Sequence, residues 1–168
     1  MNNAETILKF VNEKRLPRYR EIPNVGLYLD QVVKYINENL EPLHLSITPS
    51  MLSNYVKKGY IASPIKKQYY AEQIAHLIFI VIAKQVLSME NIAALLELQK
   101  STYNIDRAYN YFCEELEYMI KMTFEKWNEP EHVSDDMSYE ERVLRSVVIA
   151  VSHIIYLNYC FEHSLLPS

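Results

Sequence analysis

A chain of 168 residues with 49% apolar and 12% aromatic side chains can bury a core of ordinary size, which excludes a disordered chain. Two glycines in the whole chain are too few for a strand-and-turn fold, whose tight turns need residues that accept positive φ. The net charge of −4 divides unevenly: residues 1–70 hold ten Lys/Arg against six Asp/Glu, giving +4, and residues 71–168 hold seven against fifteen, giving −8. Such opposed halves suggest that the first half meets a polyanion, the alternative being chance clustering of solvated charge.

The opening segment, 1–26, contains a weakly periodic stretch, Ala4–Asn12, then Lys14-Arg15-Leu16-Pro17-Arg18-Tyr19-Arg20. Pro17 and Pro23 break helices, so it reads as a basic arm or connector that either touches a polyanion or merely links. A helix is expected over about Leu27–Asn39, where Leu29, Val32, Val33, Ile36 and Leu40 recur at helical spacing and Pro42 enforces the stop. Thr48 is a natural N-cap, Pro49 suits the first helical position, and Gly59 ends the second helix in the left-handed conformation. Met51, Leu52, Tyr55 and Val56 form its core side; Ser50, Ser53, Asn54 and Lys57 form a polar stripe.

The run Tyr60–Tyr69 is too short and irregular for another helix. A helix over about Ala71–Leu87 is apolar on most of its circumference and should be the central core element. Ser88 caps a short helix containing Ile92, Leu95 and Leu96. A helix over about Thr102–Trp127 turns Ile105, Phe112, Leu116, Ile120, Phe124 and Trp127 inward. After an acidic connector, Asn128–Met137, a last helix begins at Ser138, where Ser138 and Glu141 make a capping-box pattern. Its stripe of Val143, Val147, Ala150, Ile154, Leu157 and Phe161 is wide enough to need two neighbours, or one neighbour and a partner chain. The fold class is therefore all-α.

Chemistry-bearing constellations are few. Cys113 and Cys160 lie far apart and fit no ligand spacing. Glu72 and His76 stand four apart on one helix, a pair without a third metal ligand. Glu114, Glu115 and Glu117 read as a solvent face. No nucleophile-base arrangement, P-loop or dinucleotide fingerprint is present, so neither an enzyme nor a cofactor is expected. Met1–Lys9 has no apolar core followed by small residues, and the central apolar run Leu77–Ala83 is far below the roughly 18 residues a membrane span needs. A cytoplasmic location with reduced thiols is expected.

What remains is a capped helix with a polar, weakly basic face, then a turn, then Lys66-Lys67 bracketed by tyrosines. Duplex binding needs such parts: polar side chains for base edges in the major groove and cations for phosphates. The helix end that Thr48 and Pro49 begin presents free backbone N–H groups, which favour a phosphate as well.

Leu52-Ser53-Asn54-Tyr55-Val56-Lys57-Lys58-Gly59-Tyr60-Ile61 resembles the recognition helix and following turn of the MerR family of bacterial transcriptional regulators. Pro64, Lys66, Lys67 and Tyr69 look like that family's wing, and Leu87-Ser88-Met89-Glu90-Asn91-Ile92…Leu95-Leu96 resembles a later stretch of its DNA-binding domain. The family usually carries Arg where this chain has Ser53 and Glu where it has Asn91. The whole pattern is similar to the group catalogued as domain of unknown function 1836. The resemblance covers about residues 27–98 and implies a MerR-like helix-turn-helix with a short wing there. An arm at 1–26 precedes it, and at 99–168 the chain departs from the family, with two long helices for packing or dimerisation in place of its usual single dimerisation helix. The resemblance also implies a homodimer that binds duplex DNA through Ser50, Ser53, Asn54, Lys57, Lys58, Lys66, Lys67 and Tyr69, with an effector that the residues leave open. The alternative is a protein-interaction module on the same fold that no longer binds DNA.

Overall fold

Helices dominate the computed structural model, which describes residues 15–126 together with Lys9, Asn12 and Glu13. Along the chain come a 3-10 turn at Tyr19–Glu21, β1 (Leu27–Tyr28), α1 (Leu29–Leu40), a 3-10 turn at Glu41–Leu43 and α2 (Pro49–Lys57). After these follow β2 (Gln68–Tyr69), α3 (Ala71–Ala83), α4 (Met89–Thr102) and α5 (Ile105–Lys126). The expected connector 128–137, the expected last helix Ser138–Phe161, Trp127 and Cys160 lie outside the described residues.

The mostly helical architecture agrees with the all-α expectation and includes one small two-stranded antiparallel sheet, β1 with β2, in which Leu27 stands opposite Tyr69 and Tyr28 opposite Gln68. Leu27 thus opens a strand instead of the first helix. Gly26 makes this possible: its φ is +80°, and a Cβ there would come within 3.0 Å of Gln68 Oε1. Helix α1 then starts where the Gln31 side chain accepts a hydrogen bond from the Tyr28 backbone N–H at 2.9 Å, and it buries Val32, Ile36 and Leu40.

Helix α3 is the centre of the core. Ile74, Ala75, Leu77, Ile78, Ile80 and Val81 are inaccessible to solvent, and α1, α4 and α5 all pack on it. It ends at Ala83, earlier than expected, and the chain turns through Lys84–Leu87, with the Val86 and Leu87 N–H groups both donating to the Ala83 carbonyl. The Ser88 hydroxyl accepts from Asn91 N at 3.2 Å, as an N-cap should. The helix it starts is longer than expected and runs through position 98 to Thr102. Asn104 then breaks the continuity by capping α5, its Oδ1 accepting from Arg107 N at 3.0 Å.

Helix α5 buries Tyr109, Cys113 and Glu117, with Ile105, Phe112 and Leu116 only partly covered, so its inward face is rotated from the expected stripe. The Phe112 ring meets Phe79 of α3 edge-on at 5.1 Å. Glu117 departs most from expectation. It is not on the solvent face but accepts from Arg18 Nη2 at 2.6 Å, Arg18 Nη1 at 2.9 Å and Leu16 N at 2.7 Å. Asn110 accepts from Tyr19 N at 2.8 Å, and Asp106 pairs with the exposed Arg20. Leu16 and Ile22 are buried in the common core. Residues 15–22 are therefore a strap held on α5 rather than a loose connector. Their partners lie about 90 positions away, out of reach of any local pattern. Among the described residues, no helix is long and apolar enough to cross a membrane.

Candidate nucleic-acid interface

Helix α2 is built as its sequence dictates. Thr48 Oγ1 accepts from Met51 N at 3.2 Å, and Pro49 occupies the first turn. At the other end Gly59 N donates to Val56 O at 3.0 Å and Tyr60 N to Tyr55 O at 2.9 Å, with Gly59 at φ +77°. This bond pair is the Schellman closure, which needs a left-handed residue just past the helix. Leu52 and Tyr55 are buried, and Lys84 Nζ donates to the Tyr55 hydroxyl at 3.3 Å, so Tyr55 belongs to the core with its polar tip satisfied. Ser50, Ser53, Asn54 and Lys57 recur at positions i, i+3, i+4 and i+7 and are all exposed, as is Lys58.

Two polar side chains that sequence reasoning passed over position this helix and the segment after it. Asn37 of α1 donates to Ile47 O at 3.0 Å and accepts from Ile47 N at 2.8 Å, clamping the long link between α1 and α2. Gln73 of α3 donates to the carbonyls of Ala62 and Ser63 at 3.0 and 3.1 Å and accepts from Tyr70 N at 2.8 Å. The available signal for Gln73 was an amide in the first turn of an otherwise apolar helix. A buried amide needs partners, and loop carbonyls are the nearest source.

Between the Gln73 clamp and β2 the chain forms a tight hairpin. Ile65 and Gln68 exchange both backbone hydrogen bonds, at 3.0 and 2.9 Å. The two residues between them, Lys66 and Lys67, have φ of +50° and +65°. A two-residue turn with both central residues left-handed is of the I′ kind, in which Asn-Gly is the favoured pair. Here two lysines occupy it, at a steric cost that neither Asn nor Gly incurs to the same degree.

The charges on these elements differ from those on the strap. Arg15, Arg18 and Arg20 pair with Glu21, Glu117 and Asp106. Lys57, Lys58, Lys66 and Lys67 are exposed and form no ion pair among the described residues. Tyr69 separates from the other expected contacts. At 4% exposure it is part of the core, and burial raises its hydroxyl pKa. Its role is to anchor the hairpin from beneath.

The other candidate constellation, Glu72 with His76, gains no third metal-ligating side chain among the described residues. His76 is buried and meets Gln99 Oε1 at 3.4 Å, while Glu72 is exposed. Burial holds the His76 pKa below its usual value, against the opposing hydrogen bond to Gln99. The unfolded chain therefore takes up a proton near pH 6.5 that the folded chain resists. Stability should be complete above about pH 6.5 and fall as the pH drops below it. His76→Gln should flatten that slope in urea denaturation midpoints measured across this range; an unchanged slope would assign it to other groups.

Residues 17–112 match the family model described as domain of unknown function (DUF1836). No curated protein and no solved structure matches the chain.

Proposed function

The chain belongs to the family described as domain of unknown function (DUF1836), a description that assigns no activity, and on the chemistry of the site we propose that it is a DNA-binding transcriptional regulator of MerR-like type. In this reading α1 and α2 form a helix-turn-helix. Ser50, Ser53, Asn54 and Lys57 of α2 face base edges in the major groove, and Lys58, Lys66 and Lys67 meet phosphates. A homodimer binds a pseudo-palindromic site, each protomer contributing one recognition helix.

The observation that carries the reading is the hairpin tip. Lys66 and Lys67 sit side by side in left-handed backbone conformations, exposed and without acidic partners among the described residues. Stability alone favours neither the like charges nor the backbone geometry; such local costs cluster at functional sites, and two adjacent exposed cations suit a polyanion there. The exposed polar face of α2, nine positions before the hairpin tip at its nearest, supplies the complementary base-reading surface.

Fluorescence anisotropy of the full chain against mixed genomic duplexes, titrated in salt, tests it. The logarithm of the association constant should fall linearly with the logarithm of salt concentration. The slope should be about −0.9 per phosphate neutralised, so that four lysines give roughly −3 to −4 per protomer. No binding even at low salt would replace this reading with the protein-interaction module.

A further inference from the structure

Asparagine is a weak helix former, because its amide competes with the backbone for nearby hydrogen bonds and so favours caps and turns. Several asparagines of this chain have found partners. Asn37 clamps Ile47, Asn39 donates to the Tyr35 carbonyl, Asn104 caps α5 and Asn110 accepts from Tyr19 N. Asn54 stands instead inside α2, away from both caps. It is exposed, and its side chain makes no hydrogen bond among the described residues. Nothing in the fold calls for an amide there.

Its neighbours on the exposed face are Ser50 one turn back, Ser53 beside it and Lys57 one turn on. The two serines are short, so the helix can approach a surface closely enough for a short amide to reach it. The stripe thus carries, between hydroxyls and a cation, a single group with a donor and an acceptor side by side.

We propose that Asn54 selects adenine and so fixes one A·T pair in the duplex sequence that α2 reads. The inference rests on the DNA-binding reading and adds the base to it. In the major groove adenine alone presents an acceptor and a donor on one base. Its N7 accepts from Asn54 Nδ2, and its N6 amino group donates to Asn54 Oδ1. Guanine presents two acceptors, N7 and O6, and would set O6 against Oδ1. The neighbours cannot make the same choice. A serine hydroxyl both donates and accepts, so it suits any base, and Lys57 can only donate.

Selection of duplexes from a random library by the full chain, followed by competition binding with each base at each selected position, tests this. One position should prefer adenine over the other bases by about 10- to 100-fold. Asn54→Ala should abolish that preference, keep the others and leave the salt slope unchanged, since no phosphate contact is removed. Alanine is the better helix former and Asn54 has no partner to lose, so the melting temperature should not fall. A duplex with 7-deazaadenine at that position, which lacks the N7 acceptor, should bind the native chain roughly tenfold more weakly. The same duplex should bind Asn54→Ala as well as the adenine duplex does. Duplex binding without an adenine-selective position, a preference that survives Asn54→Ala, or equal sensitivity of both proteins to 7-deazaadenine would each overturn the proposal and leave DNA binding standing. No duplex binding even at low salt would overturn the DNA-binding reading, and this inference with it.

Discussion

Replacing Lys66-Lys67 by Asn-Gly is expected to stabilise the fold and to weaken duplex binding at the same time. Both native lysines hold positive φ, which for a residue with a Cβ costs on the order of 1–2 kcal/mol against an ordinary conformation. Asn and Gly suit a two-residue turn of this kind, so relief of even part of that strain should gain about 1 kcal/mol. For a chain of this size that corresponds to a melting temperature higher by roughly 2–4 °C. The same change removes two cations from the hairpin tip. If each meets a phosphate, the salt slope should become shallower by about two units, and affinity near 0.1 M salt should fall roughly tenfold per contact. Thermal melts and salt-titrated anisotropy on one preparation measure both effects. A stabilised variant that binds as tightly as before would remove the hairpin from the interface and leave α2 alone.

The second large effect should come from Glu117→Gln, on α5. The Arg18 and Glu117 side chains are 20% and 10% exposed, and the carboxylate also accepts the Leu16 backbone N–H. The amide keeps the shape but strips the charge, leaving a mostly buried guanidinium without its counter-ion. Breaking such a pair from one side typically costs about 3–5 kcal/mol; the residual exposure of Arg18 places the expectation near the lower limit, about 3 kcal/mol in urea denaturation. Arg20→Ala is the control. Its side chain is 88% exposed and its 3.3 Å contact to Asp106 is a surface ion pair, worth less than about 1 kcal/mol. Equal losses in the two variants would mean that the strap gains nothing from its buried pair.

These two experiments separate what each half of the molecule contributes. Residues 15–22 are held on α5, Asn24 Oδ1 accepts from Ala71 N at 3.1 Å to start α3, and β1 runs antiparallel to β2 beside the hairpin. The strap thus connects α5 to the base of the candidate DNA surface through consecutive backbone and side-chain contacts. Glu117→Gln should therefore lower stability more than it lowers duplex affinity measured under conditions where the variant is fully folded.

Local sequence determined a good deal about this protein by itself. The start and stop of α2 and the start of α4 were legible because they rest on Thr48, Pro49, Gly59 and Ser88, whose effects act within one helical turn. The central position of α3 followed from apolar residues around nearly its whole circumference, and the exposed stripe of α2 followed from 3.6-residue periodicity. Only the tertiary structure decided the rest, because the deciding partners are distant in the chain. Pairing of Leu27–Tyr28 with Gln68–Tyr69 turned an expected helix start into a strand. Arg18 and Leu16 drew Glu117 out of an expected solvent face, and the core claimed Tyr69 from an expected surface. Two lysines adopted a backbone conformation that their own propensities oppose, because the hairpin they close is held by Gln73 at one end and β1 at the other. Periodicity reports which face of an element is apolar. It carries no information about which distant group will meet a given polar atom, and in this fold those meetings set the strap, the sheet and the hairpin.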